Sequence, residues 1–196
     1  MVGADLGTIK ESPMPIELEI KRFPKKVVLK DDFKCSLRPL KRDDEANYYQ
    51  FFQDVPEVER MFIKHRMADP KVIREWCHNI DLNRDFPLLA FTNGKIIGTA
   101  TLHLQTAGWK RHIGRISVLV LPKFRGLGLA RALVTELIQI ARNLGLERIE
   151  AESLGEQEAA IKMLTGLGFR PLARFEEYVK DMQAITHDYV LMGLGL

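Results

Sequence analysis

A chain of 196 residues, 46 % of them hydrophobic, is long enough to bury one core unaided and too short for two full-sized domains to be the default. Its 29 Lys and Arg against 26 Asp and Glu leave a formal net charge of +3 with the two signs interspersed, which excludes the massed basic surface of a nucleic-acid binder. Two cysteines exclude a disulfide framework and show no metal-ligand spacing; no apolar run approaches the ~20 residues that cross a bilayer, and the N-terminus lacks the apolar region of a secretory signal, so a cytoplasmic protein without metal or membrane contact is expected.

Residues 1–15 carry Gly, Ser and Pro without apolar periodicity and read as a flexible leader. Ile16, Leu18 and Ile20 alternate with Glu17, Glu19 and Lys21, and Val27, Val28 and Leu29 follow Pro24, which predicts two short strands or an extended arm laid on the domain. Residues 1–33 are therefore set apart from a domain spanning 34–196, whose first main strand is residues 33–38. Carboxylates at Asp43, Asp44 and Glu45 open a helix with Ala46, Tyr49 and Phe52 on its apolar face, and Tyr48 and Phe51 are also assigned to the core. Pro56 interrupts the path; a second helix is predicted over residues 70–78, with Val72, Ile73, Trp76 and Cys77 on one side. Both cysteines, Cys35 and Cys77, read as reduced core fillers.

Residues 87–91 and 96–105 flank Asn93-Gly94 and form a strong hairpin signal. The run 113–121 ends in Val118, Leu119, Val120 and Leu121, apolar on both faces as a doubly covered central strand would be. A helix over 129–144 places Leu129, Leu133, Leu137, Ile140 and Ala141 toward the sheet. A strand over 148–152, a helix from Glu156 to Leu167 and a last antiparallel pair over 174–180 and 188–194 complete the chain. The fold class expected is α/β: a mixed, mostly antiparallel twisted sheet with helices on both faces.

The turn between the central strand and the long helix carries the chemistry. Gly126 and Gly128 allow the backbone of Arg125, Gly126, Leu127 and Gly128 to close on an anion, and the first amides of the helix at Leu129, Ala130 and Arg131 are unpaired at its positive end. Lys123, Arg125 and Arg131 add a local basic excess suited to a pyrophosphate. No third glycine completes GxGxxG and no GxxxxGK[ST] occurs, so the dinucleotide fingerprint and the P-loop are both excluded.

Arg125-Gly126-Leu127-Gly128-Leu129-Ala130 resembles the [Q/R]-x-x-G-x-[G/A] motif of the GNAT N-acetyltransferase superfamily, and the closing Leu167-Gly168-Phe169 resembles its frequent ending. The resemblance covers roughly residues 34–196. It implies a GNAT-like fold, acetyl-CoA as cosubstrate with its pyrophosphate on this loop, and a strand carrying Val118, Leu119 and Val120 that splays from its neighbour through a bulge, freeing amides for the pantetheine and the Val120 N–H for the thioester oxygen. Phe23-Pro24, Val28-Leu29-Lys30-Asp31 and Leu37-Arg38-Pro39-Leu40 with Asp43-Asp44 are similar, more loosely, to the lead-in of bacterial protein-lysine acetyltransferases. The partner implied is an amine acceptor, a small molecule or a protein lysine; a homodimer is compatible with the chain.

The acceptor amine must lose a proton before it attacks the thioester. Where many members of the superfamily carry a Tyr and some carry a Glu for proton transfer, this chain has Leu164 and Arg115. Glu152, on the strand beside the cofactor strand, is therefore expected to accept the amine proton, with His112 second; His103, Tyr178, Asp181, His187 and Asp188 are further candidates. The function expected is acetyl transfer to a primary amine by direct attack in a ternary complex. The absence of both usual groups also suits an alternative, a catalytically weak acyl-CoA-binding sensor or interaction module.

Overall fold

The computed structural model describes residues 14–60, 69–181 and 183–196, so nearly all of the leader expected over 1–15 lies outside the described residues. Its centre is an eight-stranded sheet, ordered β1-β2-β3-β4-β5-β6-β8-β7, formed by β1 (Lys25–Val28), β2 (Lys34–Pro39), β3 (Asp85–Thr92), β4 (Lys95–His103), β5 (Ile113–Val120), β6 (Arg148–Leu154), β7 (Arg170–Lys180) and β8 (Thr186–Gly195). Among the described residues only the β5–β6 pair is parallel. A parallel pair needs a crossover, and α5 (Leu129–Asn143) supplies it.

The other α-helices of the described residues are α1 (Ile16–Ile20), α2 (Glu45–Asp54), α3 (Glu57–Arg60), α4 (Pro70–His78) and α6 (Glu158–Thr165). One core joins α1, α5 and α6 to one face of the sheet through Ile16, Leu133, Leu137, Ile140 and Leu164. On the opposite face a second core packs α2 and α4, through Tyr48, Phe51, Phe52, Ile73 and Cys77, on Leu89, Phe91 and Ile96. Between Asp85 and Thr92 strand β3 is apolar because Phe86, Leu88 and Ala90 enter the first core while Leu89 and Phe91 enter the second. The second core stops at β5, so the same face of β6, β8 and β7 carries no helix of the described residues.

Two sequence expectations need correction. Residues 16–20 are a helix, not a strand. Pro15 starts it with φ −58°, and the buried residues are Ile16 and Glu19, three apart, while Leu18 is 45 % exposed. Glu19 is fully buried yet satisfied: its carboxylate accepts from Arg22 Nη1 and Asn143 Nδ2. On α2 the buried face is Tyr48, Phe51 and Phe52, whereas Ala46 is exposed and Tyr49 half-buried. A ten-residue helix leaves the choice of face to the largest aromatic rings, and Phe52 sits edge-on to both Tyr48 and Phe51, with ring centroids 4.8 and 5.2 Å away.

The arm preceding β2 reaches the long helix and the turn before it. Arg22 and Lys25 both pair with Glu136, a 4 %-exposed carboxylate on α5. Lys30 N–H donates to the Leu127 carbonyl at 3.1 Å, and the Phe33 and Phe124 rings meet at 5.7 Å. The turn is thus buttressed from outside the motif itself.

Candidate active site

Strands β5 and β6 run together only from Ile113↔Arg148 to Ile116↔Ala151, then part. Beyond that vertex β5 stays paired to β4 through Gly98↔Val120, and β6 stays paired to β8 through Leu154↔Tyr189. The register of β4 and β5 is unbroken, so the expected bulge on β5 is not what opens the sheet; the shift nearby lies between β3 and β4, at Ala90/Phe91. The gap exists because the parallel ladder ends.

Register decides what lines it. Leu121 N–H donates to Ile97 O at 3.1 Å, so 121/97 is a hydrogen-bonded pair of the antiparallel ladder. Bonded and non-bonded pairs alternate, which makes Val120/Gly98 and Val118/Ala100 non-bonded and turns the amides of Val118 and Val120 away from β4, into the gap. The Val120 carbonyl on the same side is held by Arg125 Nε at 3.0 Å, and Arg125 also pairs with Glu59 of α3. Half-burial of Val118 and Leu119, in place of the expected cover on both faces, follows from the same opening.

At the far end of the gap the chain turns through residues 125–128 into α5. Gly126 and Gly128 have φ +77° and +86°, and a Cβ built on either would meet nothing within 4 Å. The conformation thus demands glycine while the space beside it stays open, which fits a ligand that lies on bare backbone. Gly128 caps α5 without a side chain, and Ala132 N–H makes the first helical bond, to Gly128 O, leaving the amides of Leu129, Ala130 and Arg131 at the mouth. Lys123 is exposed beside them. Arg131 lies at the mouth but donates to the Gly166 carbonyl at 3.2 Å, tying α5 to α6.

Two polar clusters lie where the second core ends, on that face of the sheet near the vertex. Arg115 Nη1 donates to Glu152 Oε1 at 3.1 Å across β5 and β6. Tyr189 adjoins this pair: burial, then the charge and hydrogen bond of Glu152, push its phenol up to about 12. The second cluster, missed as a set by sequence reasoning, joins three strands. His103 Nδ1 lies 2.6 Å from Asp85 Oδ1, and its Nε2 lies 3.1 Å from Ser117 Oγ.

The other candidates scatter. His112 precedes β5, where its carbonyl accepts from Glu147 and Arg148, and the whole strand, about 25 Å at the usual rise, separates it from the loop. Leu164 is 3 % exposed within the first core. Cys35 and Cys77 are buried, and burial, with the Asp44 and Glu45 charges, pushes the Cys77 thiol up to about 12, the reverse of what a nucleophile needs. Among the described residues no group of three or more His, Cys, Asp or Glu could hold a metal, and no helix is long and apolar enough to cross a membrane.

His187 sits between Glu156 Oε1 (3.1 Å from Nδ1) and Asp181 Oδ2 (3.2 Å from Nε2). Only the imidazolium has a proton for each, so Glu156 first and Asp181 second raise its pKa. A raised folded-state value contributes stability fully present below the ordinary value of about 6.5 and lost as pH rises through the folded one. Amides of β7 and β8 should accordingly exchange hydrogen more readily, after correction for intrinsic rates, at about pH 8 than at about pH 6. His187→Gln should flatten that dependence; a flat wild-type profile would contradict the assignment.

Comparison with known proteins bears on the gap and the loop directly. The model of the acetyltransferase (GNAT) family matches residues 44–169. Glucosamine 6-phosphate N-acetyltransferase of Trypanosoma brucei brucei is 37 % identical over 81 residues, covering 39 % of this chain and 52 % of that protein. L-amino acid N-acetyltransferase AaaT of Escherichia coli (strain K12) is 29 % identical over 116 residues, 59 % of this chain and 64 % of that protein. The chain thus spans between about half and just under two thirds of the length of these curated relatives. The structure of yncA from Salmonella typhimurium with its cofactor acetyl-CoA aligns with a TM-score of 0.70 at 23 % identity, over 83 % of this chain and 94 % of that one, a likeness of fold. Since the family match takes in well over half of the sequence, from the start of α2 to Phe169 and across the parted strands, the chain belongs to the acetyltransferase (GNAT) family.

Proposed function

We propose that the protein transfers the acetyl group of acetyl-CoA to a primary amine, by direct attack of the amine on the thioester with both substrates bound. The observation that carries this reading is the pair of amides, Val118 and Val120, turned into a gap that ends on the glycine turn. The turn and the amides of Leu129, Ala130 and Arg131 would hold the pyrophosphate, with Lys123 and Arg131 adding charge; Val118, Leu119 and Val120 would run beside the pantetheine as a third strand would. The Val120 N–H, on the residue whose carbonyl Arg125 holds, would donate to the developing oxyanion, with Val118 N–H beside it.

The two curated relatives are named for different acceptors, an amino sugar phosphate and amino acids, and share a primary amine. The acceptor class proposed is therefore the primary amine, carried by a small molecule or a protein lysine. Glu152, the residue expected to be the base, is engaged by Arg115, which suits it to holding that guanidinium at the vertex.

Calorimetric titration with acetyl-CoA, followed by thiol release with glucosamine 6-phosphate, the L-amino acids and a lysine peptide, tests the reading. Saturable binding and amine-dependent thiol release are expected with at least one acceptor. Binding without release from any amine would favour an acyl-CoA sensor and overturn it.

A further inference from the structure

We propose that Ser117, His103 and Asp85 form the proton path of this transfer, Ser117 meeting the acceptor amine and His103 taking up its proton. The proposal rests on the acetyltransferase reading above and names residues no sequence motif assigns. Ser117 follows Ile116, the last residue of β5 to pair with β6, so its Oγ stands at the vertex, one residue before the inward-turned amide of Val118. Ser117 is exposed, on the face of β5 where the second core ends. From that side an amine can approach.

The hydrogen bonds have a direction. Asp85 can only accept when ionised, so its 2.6 Å contact places the His103 N–H on Nδ1 and leaves the Nε2 lone pair facing Ser117 Oγ at 3.1 Å. The serine hydroxyl then donates to Nε2 and presents its own lone pairs outward. With 26 % and 30 % of their side chains exposed, His103 and Asp85 are ordered by the strands and still reach water.

Charged neighbours frame the group on every side. Asp85 faces it from β3, and Arg115, the register partner of His103 on β5, stands beside it neutralised by Glu152 of β6. Behind Asp85 lies a cleft that Glu75, Asp81 and Arg84 also line. The competing bases are placed worse: Glu152 is bound by Arg115 and His112 lies at the other end of β5.

Ser117 Oγ takes one proton from the substrate ammonium as it passes its own to His103 Nε2, and His103 releases that proton to solvent. The freed nitrogen pair forms the N–C bond to the thioester carbon; the C–S bond breaks with its pair on sulfur. The second proton, lost from nitrogen as the tetrahedral adduct collapses, neutralises the thiolate, so the products are the acetamide, CoA and one proton.

The test uses the full chain, with the amine that the wild type turns over among glucosamine 6-phosphate, L-amino acids and a lysine peptide. His103→Gln should lower kcat about 100-fold and Ser117→Ala about 10-fold, the scale of general-base catalysis and of one link in it. The affinity for acetyl-CoA should change less than about two-fold in both, since neither side chain reaches the turn. The acid limb of the wild-type kcat–pH profile should vanish in His103→Gln, leaving a rate that climbs with hydroxide, an outcome that a merely structural histidine would not produce. Wild-type kcat and an unchanged limb in a folded His103→Gln protein would overturn the relay while leaving the acetyltransferase reading intact. Wild-type protein that turns over no amine would overturn both. Ser117→Ala, at an exposed position, keeps the proposal open to refutation should His103→Gln fail to fold.

Discussion

Gly128→Asp should weaken acetyl-CoA binding at least about 100-fold while the protein stays folded. At φ +86° Gly128 is in the left-handed region, which Asp tolerates better than most residues, and a Cβ there meets nothing within 4 Å. Gly128 is also the N-cap of α5, a position where Asp is among the preferred residues and where a negative charge suits the helix dipole. The substitution therefore supports the helix with the same charge that opposes the ligand. A carboxylate about 4 Å from one unit of phosphate charge costs about 4 kcal/mol at an effective dielectric near 20, and the new side chain also fills the open space. Calorimetric titration with acetyl-CoA, beside circular dichroism as the check on folding, reads both halves; wild-type affinity in the folded variant would remove the pyrophosphate from this turn.

Phe169→Ala should be the costliest single change in the core. Phe169 is 1 % exposed in the core that joins α5 and α6 to the sheet, and its N–H closes α6 by donating to the Leu164 carbonyl at 3.1 Å. Truncating a buried Phe costs about 3–5 kcal/mol through lost transfer energy and an unfilled cavity. At about 2–4 °C per kcal/mol for a chain of this size, Tm should fall by about 6–20 °C. Phe169→Leu keeps most of the volume and should lose about a third of that or less. Equal melting of wild type and the alanine variant would mean that the Leu167-Gly168-Phe169 ending is not holding α6 in place.

How far the chain could be read follows the range of the forces involved. Helix α4 was legible in full, because Asp69 caps the Lys71 amide, Pro70 begins the first turn and Ile73 and Cys77 repeat at a helical interval. The β3–β4 hairpin was legible from Asn93-Gly94, whose positive φ values the turn requires. Helix α1 was misread because five residues are too few to separate a period of 3.6 from alternation; its helicity rests on Glu19 finding Asn143 in a distant part of the chain. The same distinction runs through the site. The anion turn is local and its glycines announce it. The cluster of Asp85, His103 and Ser117 is not local: three strands bring it together, and sliding β4 by one residue would send His103 to the other face. The parting of β5 from β6 is a place where pairing ends, for which a single sequence holds no residue signal.

The amides of Val118 and Val120 have a consequence for how this protein can vary. A donor built from the main chain is the same group whichever amino acid carries it, so alanine scanning along β5 would register packing changes and stay silent on the oxyanion contact proposed above. Only proline deletes an N–H outright, so proline at residue 118 or 120 is the substitution that addresses the proposed contact. The side chains of residues 118–120 answer to the two cores they pack against, so selection on packing and selection on the proposed main-chain donor act on different atoms of the same strand.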